Sequence, residues 1–341
     1  MSKPEWQTQK HVYANTLQEI EYAELLGYSS VWLTEHHFST YGLCPDILLF
    51  AAHVAAVTKR IRIGTGVTIL PFQNPLRIAE SASMVDILCD GRLDFGVGRG
   101  YQRAEFEGFN LSMEESRQRF QEALEIILKA WTSNAFSYKG KYNNVSFQEP
   151  HGVWPKPIQK PHPPVYIASV SFQTIEWAAK RMFPILTASL ETFDQVKRNL
   201  DLYRKHLKME SEHSKLELPL VRWVCLGDSE EQIRKVTEEP LKWYLNSLVT
   251  NGSTTKGSVA TESYEHYKTS WDRISQMSYD YMWDHILLFG TVEEVFEKIK
   301  HLRDTLDLNY LICWMDFGGM DPEKVGGCMN LFAKSVAGRL S

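Results

Sequence analysis

The sequence has no long uninterrupted apolar run and no segment in which charge of one sign dominates. No run comes near the roughly 20 apolar residues that a membrane-spanning helix needs, so no membrane association is expected. The chain carries 37 Lys and Arg against 42 Asp and Glu, which gives a formal net charge of -5. Because these charges are mixed and no basic patch stands out, no nucleic-acid partner is expected.

Cysteine is scarce, and its spacing follows no metal-binding or redox pattern. There are five cysteines among 341 residues, and no two of them form a Cys-x-x-Cys pair. An odd, scattered set of this kind is typical of a reducing compartment. The first residues, Met1–Gln7, are polar and lack the apolar stretch of a secretory signal. We therefore expect a cytoplasmic globular protein.

Short β-branched runs alternate with amphipathic helices along most of the chain, and 43% of the residues are hydrophobic. Strands are predicted at Ser30–Thr34, Arg62–Leu70, Leu93–Val97, Val165–Ala168, Pro184–Ala188, Val221–Leu226 and Tyr310–Trp314. Helices are predicted at Thr16–Leu26, Asp46–Thr58, Leu76–Leu88, Ser112–Trp131 (opened by a capping box), Gln173–Lys180, Phe193–Met209 and Glu323–Val336. This alternation predicts a parallel sheet with right-handed crossovers. So many units favour an α/β fold of the TIM (β/α)8-barrel type, with residues 1–341 in one domain.

Three segments break this rhythm. Phe136–Pro164 is rich in Pro, Gly, Asn and Lys and is predicted to be a long irregular excursion. Asn246–Tyr281 is predicted to be an insertion near the seventh unit, either a mobile lid or an ordinary surface loop. Met1–Asn15 contains no β-rich apolar run, so the barrel is expected to lack or replace its first strand. Such a barrel would have two unpaired strand edges.

The first candidate site is Glu35-His36-His37-Phe38, directly after a predicted strand. In a barrel this places the residues on the catalytic face. A histidine there can exchange a proton near neutral pH, although a purely structural histidine pair is the alternative. A metal hydrolase is not favoured, because three successive side chains on an extended strand cannot converge on one ion.

Two further clusters follow predicted strands. In Gly98-Arg99-Gly100-Tyr101, glycines let the backbone approach a ligand and the arginine offers a planar fork for phosphate. As a lone Gly-x-Gly pattern it is weak, and it is not the dinucleotide fingerprint. Ser169–Thr174 places hydroxyls and free N–H groups at a helix start, which suits an anion. Ordinary N-capping by Ser171 is the alternative.

In this order, the motifs resemble those of the bacterial luciferase-like flavin monooxygenase family. The resemblance covers nearly the whole chain from about Thr16. The motifs that carry it are Glu35–Phe38, Ile69–Pro71, Gly91–Arg92, Gly98–Gly100, Pro164–Tyr166, Thr174–Ala179 and Phe289–Glu294.

The resemblance implies a role for individual residues around a flavin. His36 matches the family's catalytic histidine, and Glu35 is expected to support it. Arg99 and Arg117 match arginines that bind the flavin phosphate, and Ser171 and Thr174 match hydroxyl ligands of the same group.

Other positions are expected to border the cofactor. Gly66 and Val67 match a non-proline cis peptide beneath the flavin ring. Gly98 stands where luciferase has a reactive cysteine, and Gly100 and Tyr101 follow in the same loop. Val170 replaces an acidic residue of the phosphate loop.

The family likeness therefore implies an FMN-dependent monooxygenase. Reduced FMN from a separate flavin reductase would react with dioxygen to give a flavin peroxide, which oxidises a small aldehyde-like or other apolar substrate. A homodimer or a related heterodimer is expected, and no metal. A deazaflavin-dependent oxidoreductase on the same fold and a non-catalytic flavin-binding or partner subunit are the alternatives.

Overall fold

The computed structural model describes residues 1–2, 4–207, 216–252 and 272–340. These residues fall into two compact units. Unit I comprises Ser29–Val165, and unit II combines Met1–Tyr28 with Tyr166–Thr250 and the described residues from 272 onward. That the chain forms one domain stays a prediction.

The helices and strands alternate as the sequence predicts. The helices are α1 (Gln9–Leu26), α2 (Ile47–Val57), α3 (Pro75–Leu88), α4 (Arg103–Gly108), α5 (Ser116–Thr132), α6 (Phe172–Lys180), α7 (Phe193–His206), α8 (Glu230–Gly252), α9 (Tyr279–His285), α10 (Val292–Leu306) and α11 (Pro322–Phe332). The strands are β1 (Ser30–Leu33), β2 (Arg62–Thr65), β3 (Thr68–Ile69), β4 (Leu93–Gly98), β5 (Phe136–Lys139), β6 (Asn144–Phe147), β7 (Val165–Ala168), β8 (Ile185–Leu186), β9 (Pro219–Leu226), β10 (Leu288–Gly290) and β11 (Tyr310–Trp314). The chain continues in helical conformation from α11 to residue 340.

Unit I is built on a parallel sheet in which β2 lies between β1 and β4, and β3 also pairs with β4. All six residues of β4 are buried, as expected for a strand covered on both faces. Helices begin where side chains accept hydrogen bonds from free N–H groups. The Asp46 side chain accepts a hydrogen bond from the backbone N–H of Leu49 before α2, and the Asn74 side chain accepts one from that of Leu76 before α3.

Unit II has two parallel groups of strands. β7 pairs with β8, and β9 lies between β10 and β11. Thr187, just after β8, donates its backbone N–H to the carbonyl of Pro219 at the start of β9. Reciprocal capping boxes open α7 at Thr192 and α10 at Thr291. The predicted parallel pairing is confirmed in both units.

Some predicted boundaries are wrong. The strand predicted at Arg62–Leu70 is interrupted after Thr65 and resumes at Thr68, and the peptide between Gly66 and Val67 is cis. The expected non-proline cis peptide is therefore confirmed.

The predicted capping box at Ser112 does not form. The Ser112 hydroxyl accepts a hydrogen bond from Glu114 N and opens a short 3-10 turn, while the Glu115 carboxyl pairs with Arg119. As a result α5 begins at Ser116. The excursion Phe136–Pro164 is also more regular than predicted, because it contains the antiparallel hairpin of β5 and β6.

The predicted insertion at Asn246–Tyr281 is helical at both described ends. Residues 246–252 complete α8, and α9 begins at Tyr279. Residues 253–271 of that prediction, and residues 208 and 209 of the helix predicted at Phe193–Met209, lie outside the described residues. Whether the segment acts as a lid stays a prediction.

The N-terminal segment bears out the prediction of a missing strand. α1 starts at Gln9, earlier than predicted, because the Thr8 hydroxyl caps it by accepting from His11 N. No strand precedes α1 among the described residues. In the described sheets β1 and β11 are edge strands of their respective units. Among the described helices, none combines the length and the apolar character that crossing a membrane requires.

Candidate functional site

The histidine that the sequence singles out is held by a carboxyl group in unit I. His36 lies three residues beyond the end of β1, and its backbone N–H donates to the carbonyl of Cys44. Its Nδ1 lies 2.9 Å from Oε1 of Glu105, which also accepts the backbone N–H of His37 at 3.0 Å. Because a carboxylate oxygen only accepts, this contact places the hydrogen on Nδ1 and leaves Nε2 to exchange a proton.

Two tyrosines border the His36 ring. Tyr41 meets it edge-on with ring centroids 4.6 Å apart, and Tyr101 does so at 6.1 Å. The two phenol oxygens are 3.3 Å apart, and burial raises the pKa of Tyr101 to about 12. A Cβ on Gly42 would lie only 3.0 Å from His36, so the loop packs closely against the imidazole. The ring is thus fixed from several sides.

His37 belongs to a separate pair. Its Nε2 lies 3.2 Å from Oε1 of Glu35, and both side chains are buried. Desolvation by burial raises the pKa of Glu35, against the lowering effect of the hydrogen bond and charge of His37. Phenylalanine rings enclose the imidazole, the nearest being Phe109 at 4.8 Å. Glu35 therefore acts on His37 directly, and its predicted support of His36 can only be indirect.

Glu105 is the functional residue that sequence reasoning missed. It lies on α4, a six-residue helix that the sequence pattern did not predict, and it is 1% exposed. Its second oxygen, Oε2, has no hydrogen-bond partner within the part of the chain that the structure describes. In the sequence, the available signal was a carboxyl group on a short polar segment, seven residues after Gly98.

Among the described residues, no group of three or more His, Cys, Asp or Glu side chains could hold a metal ion.

The glycine-rich loop of unit I presents bare backbone next to an arginine. Arg99 follows β4 and is 9% exposed, and Gly100 has φ of 75°. A Cβ on Gly100 would lie 3.0 Å from Ile69 and 3.3 Å from Phe106, so only glycine fits without a shift. Gly98 is buried as the last residue of β4. These features suit close approach of a ligand to the loop.

The other residues assigned to the flavin by resemblance in unit I lie at element ends. Arg117 is half-buried in the first turn of α5. Gly66 and Val67 occupy the cis peptide between β2 and β3, and both are half-buried.

In unit II a hydroxyl pair marks the start of α6. The Ser171 hydroxyl donates to Thr174 Oγ1 at 2.9 Å, and these residues are 7% and 6% exposed. Ser169 Oγ accepts the backbone N–H of Ser171 at 3.2 Å, and Val170 between them is half-buried. Ser171 is the N-cap residue of α6, but its side chain accepts no capping hydrogen bond from the helix.

Hydroxyls beside the free N–H groups of a nine-residue helix form a donor set that fits a phosphate. In unit I the guanidinium groups of Arg99 and Arg117 are equally suited to one. That both sets contact the same phosphate stays a prediction.

Comparison with known proteins identifies a matching family model and similar sequences. The family model described as luciferase-like monooxygenase matches residues 2–308. The alkanal monooxygenase alpha chain of the Kryptophanaron alfredi symbiont is 26% identical over 345 residues, covering 96% of this chain and 93% of that protein. An uncharacterised protein of Sinorhizobium fredii, y4vJ, is 35% identical over 184 residues, but the match spans only about half of each chain, 54% and 52%.

Solved structures match over the full length. The monooxygenase RslO1 from Streptomyces bottropensis has a TM-score of 0.84 at 25% identity, covering 100% of this chain and 97% of that one. The oxygenating constituent of 3,6-diketocamphane monooxygenase from Pseudomonas putida, in complex with FMN, has a TM-score of 0.78 at 18% identity, covering 99% and 96%. An F420-dependent secondary alcohol dehydrogenase has a TM-score of 0.71 at 16% identity, covering 95% of this chain and 94% of that one. With the family match, they confirm the predicted α/β fold of the TIM-barrel class.

Proposed function

We propose, from the premise that this chain belongs to the luciferase-like monooxygenase family and is a flavin-dependent oxidoreductase, that it uses reduced FMN and dioxygen to oxidise a small organic substrate. The observation that carries the proposal is the pairing of His36 with Glu105, which leaves a half-buried histidine with one nitrogen able to exchange a proton. Reduced flavin supplies the electron pair with which dioxygen is activated.

The phosphate of the flavin would be held by Arg99, Arg117, Ser171 and Thr174. Two guanidinium groups supply charge-assisted hydrogen bonds, and the hydroxyl pair at the start of α6 adds donors next to a helix N-terminus. A phosphate anchor of this kind positions the rest of the cofactor without contacting the reacting atoms.

His36 would act as the proton-exchanging group. With Nδ1 directed at Glu105, the ring keeps a single orientation and presents Nε2. Tyr41 and Tyr101 lie edge-on to the ring and would limit the access of water to it. Such exclusion favours oxidation of the substrate over unproductive loss of the oxidant to water.

A separate flavin reductase would supply the reduced FMN. The P. putida structure is described as an oxygenating constituent, which supports a division of labour between an oxygenase and a second protein. We also infer that the chain works in the cytoplasm and that two copies, or two related chains, associate as a dimer.

Anaerobic titration tests the choice of cofactor. Wild-type protein is titrated with reduced FMN and, separately, with reduced deazaflavin F420, and binding is followed by protein fluorescence. We expect reduced FMN to bind and Arg99→Gln and Ser171→Ala each to weaken it at least tenfold, because each removes a phosphate donor. Arg103→Gln, on the next helix, is the matched control and should bind FMN normally.

Mixing the FMN complex with aerated buffer then tests the reaction. We expect His36→Ala to bind reduced FMN as tightly as wild type but to lose oxygenation of a panel of aldehydes and ketones. The F420-dependent structures share this fold, so F420 binding without FMN binding would establish the deazaflavin alternative and overturn the proposal.

A further inference from the structure

A fully buried arginine in unit II has no assigned role. Arg222 on β9 is 0% exposed. Its Nη1 donates to the carbonyls of Ala188 at 3.2 Å and Val221 at 2.7 Å, and its Nη2 donates to the carbonyl of Glu191 at 2.9 Å. Nε has no hydrogen-bond partner among the described residues. Of five N–H groups, three are therefore used, all on neutral acceptors.

The carboxyl group nearest to this arginine does not neutralise it by a hydrogen bond. The Glu191 carboxyl instead accepts from Asn199 Nδ2 at 2.6 Å and from Ala188 N at 3.4 Å. Burial raises the pKa of Glu191 to about 7, even though Arg222 and Arg273 both act on it in the opposite direction. The carboxyl is consequently only a partial counter-charge near neutral pH.

A second arginine adds to the positive charge. Arg273 is half-buried and within electrostatic reach of Glu191. Its Nε is buried and, like that of Arg222, has no hydrogen-bond partner in the described part of the chain. Leaving buried charged donors unsatisfied costs a protein more than the ordinary hydrogen bond is worth. Two arginines thus act on one weakly ionised carboxyl, and within this cluster each keeps a buried Nε–H that suits an anion.

The cluster lies at the edge of unit II where ligands of parallel α/β proteins bind. Ala188 and Glu191 follow the carboxyl end of β8. β8 pairs with β7, whose carboxyl end leads to the hydroxyl pair of Ser171 and Thr174. Loops that follow strands at this edge carry the catalytic and binding residues of barrels.

We propose that Arg222 and Arg273 bind the carboxylate of a small organic acid, and that this acid is the substrate of the oxidation. The Nε–H of Arg222 and its remaining Nη2–H offer a side-on fork that matches the two oxygens of a carboxylate. The inference rests on the proposed function, and it changes the expected substrate from an apolar compound to an anionic one.

The test compares acids with their uncharged amides in the absence of flavin. Isothermal titration calorimetry measures binding of benzoate and benzamide, and of hexanoate and hexanamide, to the full chain. We expect each acid to bind wild-type protein at least tenfold more tightly than its amide. Equal binding of acid and amide overturns the proposal.

Variants assign the preference to the arginines. Arg222→Met and Arg273→Met should each weaken benzoate binding at least tenfold and leave benzamide unchanged. Arg222→Lys retains the charge without the planar fork, so it serves as the folded variant if Arg222→Met does not fold. It should weaken benzoate binding several-fold. Arg198→Met, at an exposed position on α7, is the matched control. If both Arg222→Lys and Arg273→Met keep the wild-type preference for benzoate over benzamide, the proposal is overturned.

Competition separates this site from that of the flavin phosphate. We expect neither FMN nor inorganic phosphate to displace benzoate. Competitive displacement by either one identifies the cluster as a phosphate site and overturns the inference. A protein that keeps the acid preference but binds no FMN supports the carboxylate site and contradicts the proposed function instead.

Discussion

At the scale of single residues, His36 and His37 differ in what they can do although they are neighbours in the chain. Their side chains point to opposite sides of an extended segment, so they meet different carboxyl groups. His37 is enclosed by aromatic rings and paired with Glu35, whereas His36 is 12% exposed and paired with Glu105. Only the second pair keeps access to a ligand.

Replacement of Glu105 by glutamine should lower turnover with little effect on folding. The glutamine side chain would keep the shape but lose the charge that fixes the hydrogen on His36 Nδ1, so we expect kcat to fall roughly 100-fold, the scale of lost general acid-base catalysis. The affinity for reduced FMN should stay unchanged, since Glu105 is not assigned to the phosphate. Steady-state kinetics across pH measure the effect. Glu107→Gln, at an exposed position on the same helix, is the control, and an equal loss there would refute the assignment.

Glu191 predicts a dependence of stability on pH. Its pKa is about 7 in the folded protein against 4.5 for the free side chain. A carboxyl whose pKa is raised by folding contributes its full stability below pH 4.5 and loses it as the pH rises through 7. The change is on the order of 3 kcal/mol.

Melting temperatures of wild type and Glu191→Gln between pH 4 and 8 test this linkage. Wild type should lose stability relative to the variant as pH rises, because glutamine stays neutral throughout. Glu231→Gln, at an exposed position on α8, should track wild type. Parallel curves for wild type and Glu191→Gln would show that Glu191 does not titrate in this range.

At the scale of elements, what the sequence predicts well is set by local pattern. β7 and β11 lie at the predicted residues, because a short apolar run between polar turns predicts a strand. The hydrophobic pattern does not encode the cis peptide that lies between β2 and β3. Resemblance alone predicted it at Gly66 and Val67.

Candidate site residues likewise divide into those that the local sequence pattern predicts and those that it does not. His36 could be predicted because it directly follows a strand. Glu105 and Arg222 could not, since the Glu105 carboxyl meets the His36 ring across 69 residues of sequence and the Arg222 guanidinium meets the Glu191 carbonyl across 31. Such pairings are fixed by tertiary packing, which a single sequence does not display.

A substitution at Gly100 tests how tightly the loop after β4 packs against its neighbours. Gly100→Ala introduces a Cβ at positive φ, 3.0 Å from Ile69, so we expect a loss of about 1–2 kcal/mol in the free energy of unfolding. FMN affinity should also fall, because the neighbouring Arg99 would shift. Urea denaturation and FMN titration measure both effects. Gly327→Ala on α11, where nothing lies within 4 Å of the added carbon, should instead stabilise by about 0.5–1 kcal/mol. Equal stability of both variants would contradict the argument.

At the scale of the whole molecule, four large apolar side chains are exposed on the neighbouring helices α2 and α3, and grouped exposed apolar residues often mark an interface. Leu49 on α2 is 71% exposed, and Met84, Ile87 and Leu88 on the neighbouring α3 are 51%, 41% and 61% exposed. A second copy is the occupant that the family likeness implies, since two such faces can bury each other by two-fold symmetry. The double variant Leu49→Glu/Met84→Glu should therefore elute as a monomer in size-exclusion chromatography with light scattering, while wild type has twice the chain mass. Leu25→Glu, on the equally exposed part of α1, should remain dimeric. Wild-type protein that is monomeric at micromolar concentration would show that this face serves another partner.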